Sequence, residues 1–237
     1  MKLSTLGLAS IVALATLPGA ACAQLAFNVG AVSDYRYRGI SQTRLKPAVQ
    51  GGVDLAAGGL YVGAWASSIK WIKDVGGDAG VEVDIYGGYK GEAAGLSYDV
   101  GVLSYQYPSN KLSPSANTTE IYGALTFGPV TGKYSHAVTN TFGAPDSKNS
   151  TYLDLSATFD LGFASFTPHV GYQKYKGPVA GVASYTDYAL TLSRDFNGLV
   201  ASAAIVGTDA NKSFYSSPVN GKELGKAGIV LGVKYNF

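Results

Sequence analysis

The chain has 237 residues, with 18 Lys and Arg against 16 Asp and Glu, a near balance that gives no electrostatic case for nucleic acid. A single Cys excludes an internal disulfide framework, and 31 Gly with 17 Tyr and only 14% charged residues argue against a helical protein, because Gly is a poor helix former. No stretch after residue 23 reaches the 18 or so apolar residues of a membrane helix, which leaves a β protein rich in aromatic residues.

Lys2 gives a short positive start, residues 6–17 form an apolar run, Pro18 and Gly19 break it, and Ala21-Cys22-Ala23 has the small-x-small form of a cleavage site. The reading is a secretory signal over residues 1–23, cut between Ala23 and Gln24, and one β domain over 24–237. The run is too short to span a bilayer, and Gly19 stands where a lipoprotein signal would carry Leu.

The rest of the sequence reads as about twelve alternating segments of roughly 10–13 residues, the length a tilted strand needs to cross a membrane. They are expected at 25–38, 47–56, 61–71, 81–90, 96–107, 119–128, 130–138, 151–160, 164–174, 186–196, 199–208 and 228–237. In the first, Tyr35 and Tyr37 share the apolar parity with Phe27 and Val29, while Asp34, Arg36 and Arg38 share the polar one. In the third, Tyr61, Trp65, Ile69 and Trp71 define the apolar face. Short turns at 57–59, 91–95, 128–130, 160–163 and 196–198 alternate with longer polar loops, as in outer-membrane barrels, so an even strand number leaves both termini on the short-turn, periplasmic side.

An apolar face points inward in a soluble barrel and outward in a membrane barrel. Charged residues fall on the other face, which makes Asp34, Arg36, Arg38, Asp54, Glu82, Asp84, Asp99, Glu120, Lys133, Asp154 and Asp187 the candidate pore-lining residues. Lys174 and Arg194 fall on the apolar face, near strand ends. The apolar-face aromatics divide into two sets. Tyr35, Tyr37 and Trp71 fall at the long-loop ends, and Tyr61, Tyr89, Tyr98, Phe127, Phe196, Tyr235 and Phe237 at the short-turn ends. Two aromatic levels are what two membrane interfaces select. The last strand alternates down to a terminal Phe237, similar to the strand by which outer-membrane proteins engage the barrel-assembly machinery.

The stretch Val32-Ser33-Asp34-Tyr35-Arg36-Tyr37-Arg38-Gly39-Ile40-Ser41-Gln42-Thr43 resembles the TorF family of porins. Residues 47–52, 59–67 and 84–89 extend the resemblance. It implies an all-β, up-and-down transmembrane barrel in the bacterial outer membrane of a Gram-negative cell. The implied role is a porin-like channel for passive diffusion of small solutes or ions. It supplies no catalytic residue and no defined substrate.

Residues 128–134 imitate a phosphate loop but are one residue short between the glycines, and Tyr134 stands where Ser or Thr would hold the metal, so a turn and strand start are expected there. His136 and His169 are the only histidines, too few ligands for a metal site. Two rivals to the channel remain: a phospholipase-like barrel hydrolase using a lipid-facing His136, for which no partner Ser is evident, and a plugged structural barrel. No enzyme activity, cofactor or metal is expected. The expected partners are lipid, the assembly machinery and small solutes, and oligomerisation is left open. Nine acidic residues among fifteen strand charges favour a weak cation preference, with Arg36 and Arg38 a local filter at the outer mouth.

Overall fold

The computed structural model describes residues 23–237, so the expected signal segment lies, apart from Ala23, outside the described residues. In chain order the elements are β1 (Gln24–Val32), β2 (Arg36–Tyr37), β3 (Ile40–Ser41), β4 (Ala48–Ala57), β5 (Leu60–Ser68), α1 (Trp71–Asp74), β6 (Val81–Ala93), β7 (Leu96–Gln106), β8 (Thr118–Phe127), β9 (Val130–Ala137), β10 (Thr151–Ala157), β11 (Phe159–Asp160), β12 (Ser165–Lys174), α2 (Ala180–Ala183), β13 (Tyr185–Phe196), β14 (Leu199–Thr208) and β15 (Gly228–Asn236). Twelve of these strands pair antiparallel in sequence order, and β15 returns to β1 with Val29 opposite Tyr235, so the sheet closes without an edge. β11 is a two-residue continuation of β10 along β12, and β2 with β3 forms a separate small hairpin.

Local chemistry explains the alternation of turns. Gly58-Gly59, Ala94-Gly95 and Asn197-Gly198 each carry positive φ at both positions, the type I′ geometry that matches strand twist. Gly128-Pro129 makes the turn into β9, so the phosphate-loop imitation is a turn and a strand start, as the sequence implies. The long connections, 33–47, 69–80, 107–117, 138–150, 175–184 and 209–227, all lie at the opposite end, and Gln24 and Phe237 lie at the short-turn end.

The exterior is apolar. Leu153 is 57% exposed, Leu190 48% and Ile229 72%, and among the described residues the exposed large apolar side chains outnumber the buried apolar ones. The interior holds Asp54, Glu82, Glu120, Gln173 and Asp187, all buried. This inverts the soluble pattern, and a continuous apolar exterior around a closed barrel is the surface that lipid covers. The largest apolar cluster among the described residues sits at the long-loop end, where Tyr35, Ile69, Ile72, Tyr105 and Tyr107 pack with Trp65, Trp71 and Phe142.

Candidate functional site

The first long loop, 33–47, does not extend away from the barrel. β1 stops at Val32, Ser33 N donates to Leu231 O at 2.8 Å, and the chain turns into the mouth. Asp34 braces the turn from within, accepting from Arg36, from the Ser41 hydroxyl and from Thr43 Oγ1 at 3.2 Å. Arg36 Nη1 donates to the carbonyls of Gly39 (2.9 Å), Leu224 (2.8 Å) and Lys226 (3.1 Å), which fastens the loop to the last long connection. Arg38, at the hairpin tip, reaches the far wall. Its Nη2 lies 2.7 Å from Glu120 Oε2 on β8, it donates to Gln173 on β12, and its guanidinium lies 4.1 Å above the Tyr152 ring on β10. Burial works against this charge, but Glu120 and the tyrosines Tyr37 and Tyr105 hold the Arg38 pKa above its ordinary value. The loop is therefore a strap across the mouth, bonded to both sides.

Aromatic contacts and neighbouring loops complete the closure. Tyr35 donates to Glu82, and Tyr107 donates to the other Glu82 oxygen at 2.7 Å. Burial, then the charge of Glu82, pushes the Tyr35 hydroxyl well above its usual range. Tyr37 donates to the Tyr105 hydroxyl at 2.9 Å, and Phe142 stands edge-on to both rings at 5.3 Å. α1 is laid over the strap by Lys70 N and Trp71 N, which donate to Gln42 O at 2.8 and 3.2 Å, and by the Arg44–Asp74 ion pair.

Beneath the strap is a cavity of about 240 Å³ with two unlike walls. The wall from β4 to β12 is charged and aromatic. Tyr86 donates to Asp54 at 2.6 Å, Tyr61 donates to Asp99 at 2.6 Å and meets the Tyr122 hydroxyl, Lys90 is 4.0 Å from Asp99, and Lys133 lies 4.0 Å above the Tyr122 ring. His169 is flanked by Asp154 at 2.8 Å and Asp187 at 3.6 Å. The wall made by β13, β14, β15 and β1 presents Ala189, Thr191, Val200, Ser202, Ala204, Val206, Val230 and Val32. These residues carry no charge, and among the described residues the one charge that β13, β14, β15 and β1 bring to the cavity lining is Lys234, near the short-turn end of β15.

Of the expected lumen residues, Arg36, Asp54, Asp84, Asp99 and Lys133 line this cavity. Asp34, Arg38, Glu82 and Glu120 are bound up with the strap, and Asp154 and Asp187 surround His169. Arg36 and Arg38 lie in the loop rather than on the first strand, and both are fully engaged.

The aromatic belts need correction. Tyr35 (5% exposed) and Tyr37 face inward, because the strand ends before them and alternation no longer applies. Trp71 stands on α1, edge-on to Tyr107 at 5.2 Å, and takes no part in a lipid belt. Tyr61 and Trp65 line the cavity, since β5 has the reverse orientation: Leu60 and Val62 face outward. Both faces of β5 are apolar enough that polarity does not choose between them, and the Tyr61 hydroxyl finds Asp99 only from inside. Tyr89, Phe127, Phe196, Tyr235 and Phe237 are exposed on the exterior at the short-turn end, and Tyr98 packs beside Tyr89 at 6.1 Å. The long-loop side carries Tyr134, Tyr172 and Tyr188 on its exterior instead. Lys174 and Arg194 are exposed, with Arg194 5.0 Å from the Phe196 ring. His136 contacts Tyr134 at 3.5 Å and Asn149 at 3.1 Å.

Sequence reasoning missed the small-residue wall, whose signal is size rather than polarity: small residues alternate with Leu190, Leu192, Ile205 and Leu231. It also missed a Tyr–Gly pairing. Tyr61 faces Gly88, Tyr86 faces Gly63 and Tyr122 faces Gly101 in direct cross-strand register, and a Cβ on any of these glycines would meet the tyrosine. Each ring lies across the neighbouring strand where a side chain is absent, which accounts for part of the Gly and Tyr excess.

The chain belongs to Gcw_chp, a family of bacterial proteins of unknown function, whose profile matches residues 17–237. Comparison with curated proteins returns no match. Among solved structures, an outer membrane channel from Pseudomonas putida F1 is similar at 12% identity and a TM-score of 0.49, over 96% of this chain and 98% of that one. The outer membrane protein OprD from Pseudomonas aeruginosa is similar at 12% identity and a TM-score of 0.41, over 90% of this chain and 65% of that one. A porin is similar at 17% identity and a TM-score of 0.39, over 80% of this chain and 62% of that one. The chain thus spans less than two thirds of the OprD and porin chains.

Proposed function

We propose that this protein is a channel of the bacterial outer membrane through which small solutes pass, with the 33–47 strap setting access at the outer mouth. The observation that carries the reading is a closed barrel with an apolar exterior and a charged, aromatic interior containing a cavity. A membrane protein needs an inside-out barrel to be stable, but not a charge-lined cavity beneath a hydrogen-bonded strap. The resemblance of residues 32–43 to TorF porins supports the same role. In this reading residues 1–23 are the secretion signal, the short turns and both termini are periplasmic, and the strand ending in Phe237 is recognised by the assembly machinery.

The Arg38–Glu120 bridge favours a second reading, a barrel permanently sealed by its strap. Planar-bilayer recording separates the two. The channel reading expects discrete conductance steps from the wild type, enlarged when residues 34–46 are replaced by a short Gly-Ser linker. A wild type that stays silent at all voltages, with conduction only in the deletion, selects the sealed barrel. Silence from both, with the deletion folded, rejects the channel.

A further inference from the structure

Among the described residues, two buried carboxylate oxygens have no hydrogen-bond partner in the protein, and both belong to residues lining the cavity: Asp54 Oδ2 and Asp84 Oδ1. Asp54 is only 7% exposed, and its other oxygen accepts from Tyr86 at 2.6 Å. Asp84 stands directly opposite Trp65 on β5 and Tyr105 on β7. Tyr86 lies on the same face of β6, two residues on, so the two acids and their rings form one patch on the β4–β7 wall. A buried carboxylate left unpaired is costly, and a cation that pairs with it is favoured most where aromatic faces surround it. Facing this patch is an apolar cluster of small side chains, Ala189, Ala204, Val206 and Val230, on the wall that carries Lys234 nearer its short-turn end. The cavity, at about 240 Å³, is large enough for a small organic molecule.

We propose that the cavity is a binding site for a small amphipathic organic ammonium ion. The ammonium is received by Asp84 and Asp54 among Trp65, Tyr86 and Tyr105, and the apolar body lies on the Val/Ala wall. This deepens the channel reading and rests on it for biological sense, though not for its test. Lys90, Lys133 and Lys234 also face the cavity, toward the short-turn ends of their strands. Lys90 is held near Asp99, and Lys133 lies over Tyr122. These lysines make an organic anion the competing occupant.

The test uses the full chain in detergent, with Trp71→Phe so that Trp65, in the cavity, is the only tryptophan. Butylamine, butanol and butyrate are all straight four-carbon chains and differ in charge. The proposal expects saturable change in Trp65 emission with butylamine, with butanol and butyrate at least tenfold weaker. It expects Asp84→Asn and Asp54→Asn each to weaken butylamine about tenfold or more, the scale of a lost charge-assisted hydrogen bond. An equal response to butylamine and butanol, tighter butyrate, or no response to any of the three overturns it, as does an unchanged affinity in the folded double Asn variant. Where an Asn variant does not fold, the three-ligand series on the parent decides alone. A barrel that binds butylamine but never conducts keeps this site and loses the channel reading. One that conducts without responding to butylamine loses only the site.

Discussion

Arg38 Nη2 lies 2.7 Å from Glu120 Oε2, a contact between the tip of a loop that leaves β1 and a strand on the opposite side of the barrel. Both side chains are almost fully buried, at 7% and 4% exposure, so the pair is not a surface salt bridge of marginal worth. Removing one partner leaves the other charge buried and unpaired, which costs about 3–5 kcal/mol in comparable settings. Arg38→Ala is therefore expected to shift the strap toward an undocked state. The outcome to look for is larger or longer conductance steps in a bilayer, with little change in the thermal unfolding of the barrel itself. Unchanged steps would mean that the Arg36 bonds to Leu224 and Lys226 hold the strap without Arg38. A simple positive filter, with both arginines free, would instead predict altered ion preference at constant conductance.

Gly39 tests the same strap by shape. Its φ is +79°, and a Cβ there would run into Thr208 and, at 2.8 Å, Asp187 Cβ. L side chains rarely adopt that backbone, a β-branched one least of all, and the clash is with the barrel wall rather than with a flexible tip. Gly39→Val is expected to lift the hairpin, at a cost of about 1–3 kcal/mol from strain alone. Protease added to intact cells is expected to cut residues 36–43 faster in this variant than in wild type. Equal cutting would place the strap outside the wall's reach.

The two tryptophans give a test of orientation. Trp65 lines the cavity and Trp71 packs on Tyr107, so neither meets lipid. Brominated lipid is expected to quench the wild type weakly. Phe127→Trp, at a position 70% exposed on the exterior, is expected to be quenched strongly. Strong quenching of the wild type would restore Trp71 to an outer belt.

How far the sequence could be read depended on what alternation controls. Where one face is lipid-facing and the other charged, as in β6 with Val83 and Ile85 against Glu82 and Asp84, period-two polarity gives the strand and its orientation directly. The turn residues Asn197-Gly198 and Gly58-Gly59 mark the strand ends, and the alternating loop lengths give the strand count. Polarity misleads where both faces are apolar, as in β5, because an inward Trp65 looks like an outward one. It says nothing about a loop that folds back. The partners of Arg38 lie 82 and 135 residues away, and no local pattern encodes a contact made by barrel closure. Tyr35 and Tyr37 continue the alternation of β1 by parity alone, so the strap reads as a longer strand until Asp34 is seen to turn it.

The Tyr–Gly pairs are testable by a single methyl group. A Cβ on Gly63 would lie 2.5 Å from Tyr86 Cε2 and 2.6 Å from Asp54 Oδ1, so the ring must leave its place across β5. That would break the 2.6 Å bond from Tyr86 to Asp54 and leave a buried carboxylate with neither oxygen satisfied. Gly63→Ala is expected to destabilise the barrel by about 1–3 kcal/mol, the usual cost of forcing volume into a packed interior. Gly132 supplies the control. It also lies within a strand, and a Cβ there meets nothing within 4 Å. Gly132→Ala is expected to be neutral or to stabilise by about 0.5–1 kcal/mol, because Ala has less backbone freedom to lose. Urea midpoints for the two variants in the same bilayer or detergent decide the matter. If both alanines behave alike, the tyrosines do not depend on the glycines beneath them, and the Gly and Tyr excess of this sequence needs another cause.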